Sequence, residues 1–355
     1  MTKKKLTGLL ILLAVIAISF GYVFFSSNKP QEVSIDGLIG GEKIGLVQDE
    51  AFKKQVKKSH GLSLDYHKDG SFAMVQGQTE GYDYLWPSSQ IALELFEKLG
   101  KKHISQDIVF NTPIVLYSRK AVVEALEKEK IVQNEDGVYF VDMSLLAELV
   151  AEGKSWKDIG LTALYGDILV DTTDPNESNS GNMFLGLLAN SLNGGKVVKK
   201  ADVEKIVPQI KTIYQKIGHM QTSSSDMFNQ YLKQGIGAYP IIAGYENQLL
   251  EFSKEDPETF AALKDDLVIL YPSPTVWSSH VYIALTDQGK VALEALKTKE
   301  VQTLAWKNHG FRTITAGTAD PKEFDVQGVP KDIIKVMPMP DVDVMLELMQ
   351  IIRED

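Results

Sequence analysis

Ile108-Val109-Phe110-Asn111-Thr112-Pro113-Ile114-Val115-Leu116-Tyr117 decides the fold. Two runs of strand-forming side chains flank a proline, so the stretch reads as one long strand that loses a ladder donor near its middle. A strand of that kind can pass from one lobe to another. Far downstream, Leu267-Val268-Ile269-Leu270-Tyr271 and Val281-Tyr282-Ile283-Ala284-Leu285 flank Pro272-Ser273-Pro274 in the same way. This second crossing mirrors the first, so the chain is expected to leave a first lobe, build a second and return. The expected division is 33–112 with 276–355 for lobe one, and 113–275 for lobe two.

Around the two crossings, strand-like and helix-like segments alternate, the pattern of an α/β fold with open sheets. Helical spacing places Ile91, Leu95 and Leu99 on one face of Gln90–Leu99. It points Leu145, Leu146, Leu149 and Val150 inward from Ser144–Ala151, and aligns Val203, Ile206, Val207, Ile210, Ile213, Tyr214 and Ile217 despite Pro208. A last helix is expected over Asp341–Ile352. At 355 residues and 44% hydrophobic content the chain has ample material for a core of two domains.

The N-terminus reads as an address. Met1-Thr2-Lys3-Lys4-Lys5 precedes twenty uncharged residues, Leu6 to Phe25, and twenty residues at about 1.5 Å each span the ~30 Å hydrocarbon layer. The lysines before the span hold residues 1–5 in the cytoplasm and send the remainder outside. A cleaved secretory signal is the competing reading, but the segment ends on the bulky Tyr22-Val23-Phe24-Phe25, where cleavage wants small residues. Residues 6–25 are therefore expected to be an uncleaved single-pass anchor in the cell membrane, and residues 26–32 a short linker. With no cysteine in the chain there is neither a lipoprotein anchor nor a disulfide framework. Setting aside Lys3, Lys4, Lys5 and Lys29 leaves 33 basic against 47 acidic residues, a net of −14 outside. Nucleic acid and anionic lipid are poor partners for such a body.

Small residues collect where strands give way to helices. Gly40-Gly41-Glu42-Lys43, Gly70-Ser71-Phe72 and Trp86-Pro87-Ser88-Ser89 each follow a strand-like run. The sharpest is Thr173-Asp174-Pro175-Asn176-Glu177-Ser178-Asn179-Ser180-Gly181, which follows the strand-like Asp167-Ile168-Leu169-Val170, opens a helix and so presents backbone N–H groups and a positive dipole end to whatever lies above. Read alone it is equally an N-cap turn with redundant serines. Gly244-Tyr245-Glu246-Asn247 is a further candidate, with a plain surface helix start as its alternative. Turns at strand C-termini are where open α/β sheets hold ligands.

Taken in order, Gly40-Gly41-Glu42-Lys43, Gly70-Ser71 with Met74-Val75, Trp86-Pro87-Ser88-Ser89, Asn111-Thr112-Pro113-Ile114-Val115, Thr173 to Gly181, Gly244-Tyr245-Glu246-Asn247, Tyr271-Pro272 with Pro274-Thr275, and Asn308-His309-Gly310-Phe311-Arg312 resemble bacterial extracellular solute-binding proteins. The resemblance leans to the branch of molybdate- and sulfate-type receptors and of solute-binding regions fused to von Willebrand factor A-like domains. It implies a two-lobed, type II periplasmic-binding fold with two hinge-crossing strands, closing on a small ligand for an ABC-type transporter. It also implies Gly41, Glu42, Ser71, Ser88, Ser89, Ser178, Asn179, Ser180 and Tyr245 as cleft-facing. The expected ligand is a small polar solute, with an oxyanion favoured, although Glu42 and Glu246 would repel an anion unless a cation or donor intervenes.

Enzyme chemistry finds no foothold in the sequence. The six histidines are scattered, and there is no His-Glu-x-x-His, nucleophile elbow or phosphate-binding loop. No catalytic residue, metal site or cofactor is expected. A membrane receptor or adaptor that senses the ligand is the alternative to transport, and a hydrolase is the weakest of the three readings.

Overall fold

A computed structural model describes residues 33–353 apart from 316 and 318. The expected anchor at residues 6–25, with its tail and linker, lies outside the described residues. Among the described residues no helix is long and apolar enough to cross a membrane.

The first sheet begins with β1 (Val33–Ile39), which pairs in parallel with β2 (Leu62–Lys68) and β3 (Tyr84–Trp86). Helices α1 (Ile44–Gln48), α2 (Glu50–His60) and α3 (Ser71–Gln76) link these strands, and α4 (Gln90–Lys98) follows β3. The chain then enters β4 (Ser105–Arg119), fifteen residues without a break. Beyond it come α5 (Lys120–Lys128), the hairpin β5 (Val132–Glu135) and β6 (Val138–Val141), α6 (Met143–Glu152), α7 (Asn179–Leu192), α8 (Val203–Ile217) and α9 (Ser224–Gln234). Next are β7 (Ile241–Tyr245), α10 (Glu246–Glu255), α11 (Pro257–Leu263) and β8 (Leu267–Pro272). The return is β9 (Trp277–Ala284), α12 (Asp287–Leu296), α13 (Lys299–His309) and β10 (Arg312–Thr313), and the last helix is α14 (Val342–Arg353).

β4 joins the two halves. Ser105 to Pro113 pair antiparallel with β9, and Ile114 to Arg119 pair with β7 on one side and β8 on the other. Pro113 sits at the residue where partners change, so its missing N–H interrupts neither ladder. Thr275, in the β8–β9 link, donates its hydroxyl to the Ile114 carbonyl at 2.6 Å and ties the two crossings together. The body around each sheet is called a lobe below.

One apolar cluster, including Ile35, Phe52, Tyr84, Trp86, Phe110, Tyr282 and Phe311, fills one face of the first sheet. A larger one runs without interruption from Leu85, Ile91 and Phe96 to Leu116, Leu126, Met183, Ile210 and Leu348, so the lobes share core and lie closed on each other. Gly181 lets the preceding loop fold tightly against the first turn of α7: a Cβ there would meet the Thr173 carbonyl oxygen at 2.1 Å.

The C-terminal stretch does not stay with the first lobe. Residues 320–341 form a strap across the crossings, where Thr275 N–H donates to the Lys335 carbonyl at 3.1 Å and Met337 N–H to the Thr275 carbonyl at 2.8 Å. Asn190 of α7 holds the Pro338 carbonyl at 3.0 Å, and α14 packs on α8 and α7 as well as on α4.

Three local expectations need correction. The inward stripe of α6 is Met143, Leu146, Ala147 and Val150, which share one face at 100° per residue; Leu145 lies off that face and is 41% exposed. α4 stops at Lys98, which leaves Leu99 as an exposed cap. The strand-like residues 167–170 form no ladder; only the single bridges Ser155 to Asp167 and Asp171 to Ile242 flank them.

Candidate functional site

Four strand ends converge where the lobes meet. β1 ends on a 3-10 turn, Gly41–Lys43, and β3 ends on Pro87-Ser88-Ser89; β9 contributes Ser278 and His280, and β7 contributes Tyr245. From the other side α7 brings Asn179. All of these polar side chains are buried, Lys43, Ser88, Ser278 and His280 completely.

At the centre the Lys43 ammonium contacts the Glu42 carboxylate and the Ser88 hydroxyl, with His280 Nδ1 at 3.2 Å and the Trp86 ring centroid at 5.7 Å. Burial would raise the Glu42 carboxyl, but the Lys43 charge and the Lys43 and Ser88 hydrogen bonds outweigh it and hold it at about 2. Burial and the Lys43 charge push His280 well below the usual histidine range, so it stands neutral, with Nδ1 accepting from Lys43. Lys43 therefore occupies the place an ammonium ligand would want, and Glu42 carries no spare charge. Glu246 is neutralised in the same manner: Arg312 grips it in a two-pronged pair at 2.6 and 2.7 Å, and the Tyr271 hydroxyl donates at 2.7 Å.

The lobes are laced across this junction. Asn179 Nδ2 donates to the Ser88 carbonyl at 2.9 Å and to the Tyr245 hydroxyl at 3.0 Å. Lys68, at the end of β2, donates to Ser223 Oγ at 3.0 Å. His309 of α13 bridges Glu251 of α10, at 2.6 Å, and Asp49, the cap of α2, at 3.0 Å.

Beside the cluster lies a cavity of about 210 Å³ whose walls are Gly40 to Glu42, Lys68 to Ser71, Glu177 to Asn179 and Thr222 to Ser224. The N-termini of α7 and α9 open on it from one lobe, with Lys68 opposite. A neighbouring cavity of about 320 Å³ shares Gly41, Glu42 and Lys68 and extends toward Glu251, Phe252 and Glu255. A cavity of about 810 Å³ lies on the outer edge of the first lobe between α2 and β2. None of the buried polar groups of the junction lines it, and a binding site needs convergent polar groups as well as volume.

The residues singled out from sequence take different places. Gly41, Glu42, Ser71, Ser178 and Asn179 line the smaller cavity. Ser71 Oγ accepts from Ser88 N–H at 2.9 Å and fixes that turn, while Ser89 Oγ caps α4 through Ile91 N–H at 3.1 Å. Ser180 pairs with Thr173 Oγ1 at 2.7 Å, behind the helix start. Ser88 and Tyr245 meet Asn179 between the lobes. Sequence reasoning missed Lys43, Lys68, Ser278, His280 and the Thr222-Ser223-Ser224 run. Only the hydroxyl run just before a helix carried a readable signal. Among the described residues no His, Asp and Glu are grouped to hold a metal ion.

No family model and no curated protein sequence matches the chain. Solved structures do. A periplasmic thiamin-binding protein aligns at TM-score 0.60 and 13% identity over 91% of this chain and 95% of its own. The periplasmic binding protein AfuA of Actinobacillus pleuropneumoniae, with fructose-6-phosphate bound, aligns at 0.59 and 14% over 90% and 97%. The apo ferric ion-binding protein A of Pasteurella haemolytica aligns at 0.58 and 12% over 90% and 97%. The fold is that of the bacterial periplasmic solute-binding proteins, of the type II kind expected from the ordered motifs.

Two outcomes are expected. Lys43→Met leaves Glu42 charged and alone in the core, so urea unfolding should show a loss of about 3–5 kcal/mol, most of it recovered by adding Glu42→Gln. For His309, burial lowers its pKa, but the hydrogen bonds and charges of Glu251 and Asp49 prevail and raise it. A raised folded value gives stability that is complete below pH ~6.5 and is lost as pH rises through the folded pKa. The urea midpoint should therefore fall above neutrality in the wild type and stay flat in His309→Gln; equal slopes would refute the bridge.

Proposed function

We propose that this chain is an extracytoplasmic solute-binding protein that closes its lobes on a small polar ligand bearing an oxyanion and passes it to an ABC-type transporter. The carrying observation is the ~210 Å³ cavity, on which the N-termini of α7 and α9 and the Lys68 ammonium converge. First-turn N–H groups lack intrahelical partners, so two helix starts and a lysine favour an anion. The internal pairing of Glu42 and Glu246 removes the repulsion that those carboxylates would otherwise exert. Asp69 and Glu177 remain in the wall; burial raises the Asp69 carboxyl, and Glu177 is exposed at the rim.

Catalysis is no part of this reading. Ser88 beside Lys43 has the composition of a serine–lysine dyad, but its hydroxyl is fully buried and engaged by Glu42, leaving no approach for a carbonyl carbon. The similarity to periplasmic proteins supports the extracytoplasmic setting, and Leu6–Phe25 is assigned as the membrane anchor.

Thermal unfolding of the detergent-purified full chain, screened against phosphates, sulfate, molybdate, amines and neutral sugars, tests the ligand class. An oxyanion at a hundred times its Kd should add about 2.7 kcal/mol, and Lys68→Met should weaken that ligand by roughly 5- to 100-fold. A response to amines or neutral sugars alone would refute the oxyanion. For the anchor, the protein should stay in the membrane pellet after carbonate extraction and become soluble when residues 1–29 are removed; a soluble full chain argues against it.

A further inference from the structure

His309 ends α13 with its two ring nitrogens engaged by carboxylates of different lobes. Nδ1 meets Glu251 of α10, in the second lobe, at 2.6 Å, and Nε2 meets Asp49, the cap of α2 in the first, at 3.0 Å. A neutral imidazole has one N–H and can donate to only one of them; the imidazolium donates to both. Glu251 reaches the ring by crossing to the first lobe, where a Cβ on Gly45 of α1 would meet its Oε1 at 2.1 Å, so glycine leaves the room the carboxylate needs. Glu251 and Gly45 also line the ~320 Å³ cavity, which shares Gly41, Glu42 and Lys68 with the proposed ligand cavity. The bridge thus stands on the cleft side of the hinge, away from the strap of residues 320–341.

Acidic groups alone face the ring. α10 presents Glu251, with Glu255 beyond it, and α2 presents Asp49. α1 carries no charged side chain, Arg312 of β10 is committed to Glu246, and α12 joins α13 at its opposite end. On α13 itself Asn308 donates to Asp49 at 2.8 Å and Lys307 is turned to Glu323. Glu42, in the turn before α1, acts on Glu251 from further off and is paired with Lys43.

Resting on the reading of two lobes that close on a ligand, we propose that His309 is a proton-operated clasp: its imidazolium joins Glu251 of the second lobe to Asp49 of the first and holds the lobes shut, and its deprotonation loosens them. Opening takes Glu251 away and leaves Asp49, which belongs to the same lobe as the ring. Burial lowers the proton affinity of His309 in the closed form, but the hydrogen bonds and charges of Glu251 and Asp49 outweigh it and raise the pKa. Burial raises the Glu251 carboxyl as well, so both groups bind protons more tightly when the lobes are shut. Closing therefore takes up protons; it is favoured in acid and weakens as pH rises through the closed-form pKa of His309. A ligand held between the lobes is gripped in acid and released toward alkaline pH, with no titrating group needed on the ligand itself.

Spin labels on Lys54→Cys of α2 and Lys233→Cys of α9, with their separation read by pulsed electron resonance in the detergent-purified full chain, report the closed and open populations without any ligand. The chain has no cysteine of its own to compete for the label. The closed-to-open ratio is expected to fall by up to about tenfold per pH unit above pH ~6.5, the limit for one proton released on opening. His309→Gln should flatten the profile, and Glu251→Gln, which keeps the ring beside Asp49, should shrink its slope. Urea unfolding reports any bridge that stabilises the fold; the label separation moves only if the proton is tied to lobe closure. A wild-type ratio unchanged between about pH 6 and 9, including one closed throughout, overturns the clasp, as do lobes that open when pH falls. A slope that survives in both variants overturns the assignment to His309 and Glu251. None of these outcomes touches the oxyanion, which the ligand screen decides separately, and the wild-type profile is decisive even if a variant fails to fold.

Discussion

The junction between the lobes depends on the buried pairing of Glu42 with Lys43. An unpaired carboxylate in that position would cost several kcal/mol, and an unpaired ammonium as much. Together, with Ser88 and neutral His280 filling the remaining hydrogen-bond positions, they form a neutral polar plug. Neutrality is the constraint that matters: it lets the crossing strands approach, and it leaves the field of the adjoining cavity to Lys68 and two helix ends. The same device recurs with Glu246 and Arg312 on the other side of β4.

The architecture was readable because its signals are local and strong. β4 declared itself by two apolar runs, and Pro113 by its inability to donate; both are properties of short segments. The long helix over 203–217 was readable through its apolar spacing, and Pro208 is tolerated on an exposed surface. Glycine and serine turns at strand ends followed from the need to reverse the chain and cap a helix. Leu99 went astray because the helix stops one residue before it, and Leu145 because the apolar positions 145, 146, 149 and 150 span a wider arc than the stripe that packs.

The site was only half legible for a different reason. Turn residues can be found by type, but ion pairs between segments far apart in sequence cannot. Glu42 and Lys43 are adjacent in sequence, and nothing in the order Gly40 to Lys43 tells that the lysine turns inward to Ser88 and His280. His280 lies in an apolar strand where a core histidine is the ordinary reading, and Arg312 sits 66 residues from the carboxylate it neutralises. The like-charge objection raised by the two glutamates was sound chemistry applied to an incomplete set of neighbours.

The strap of residues 320–341 has a mechanical consequence. Arg312 holds it at the Lys331 and Pro330 carbonyls, Thr275 holds it at the crossings, and Asn190 holds it on the second lobe. A hinge tethered across its back opens only as far as the tether's slack allows. On the proposed reading, the aperture between the lobes is set by a segment that lines neither the ~210 Å³ nor the ~320 Å³ cavity, and changes in its length would alter how far the lobes part without touching the cavity walls.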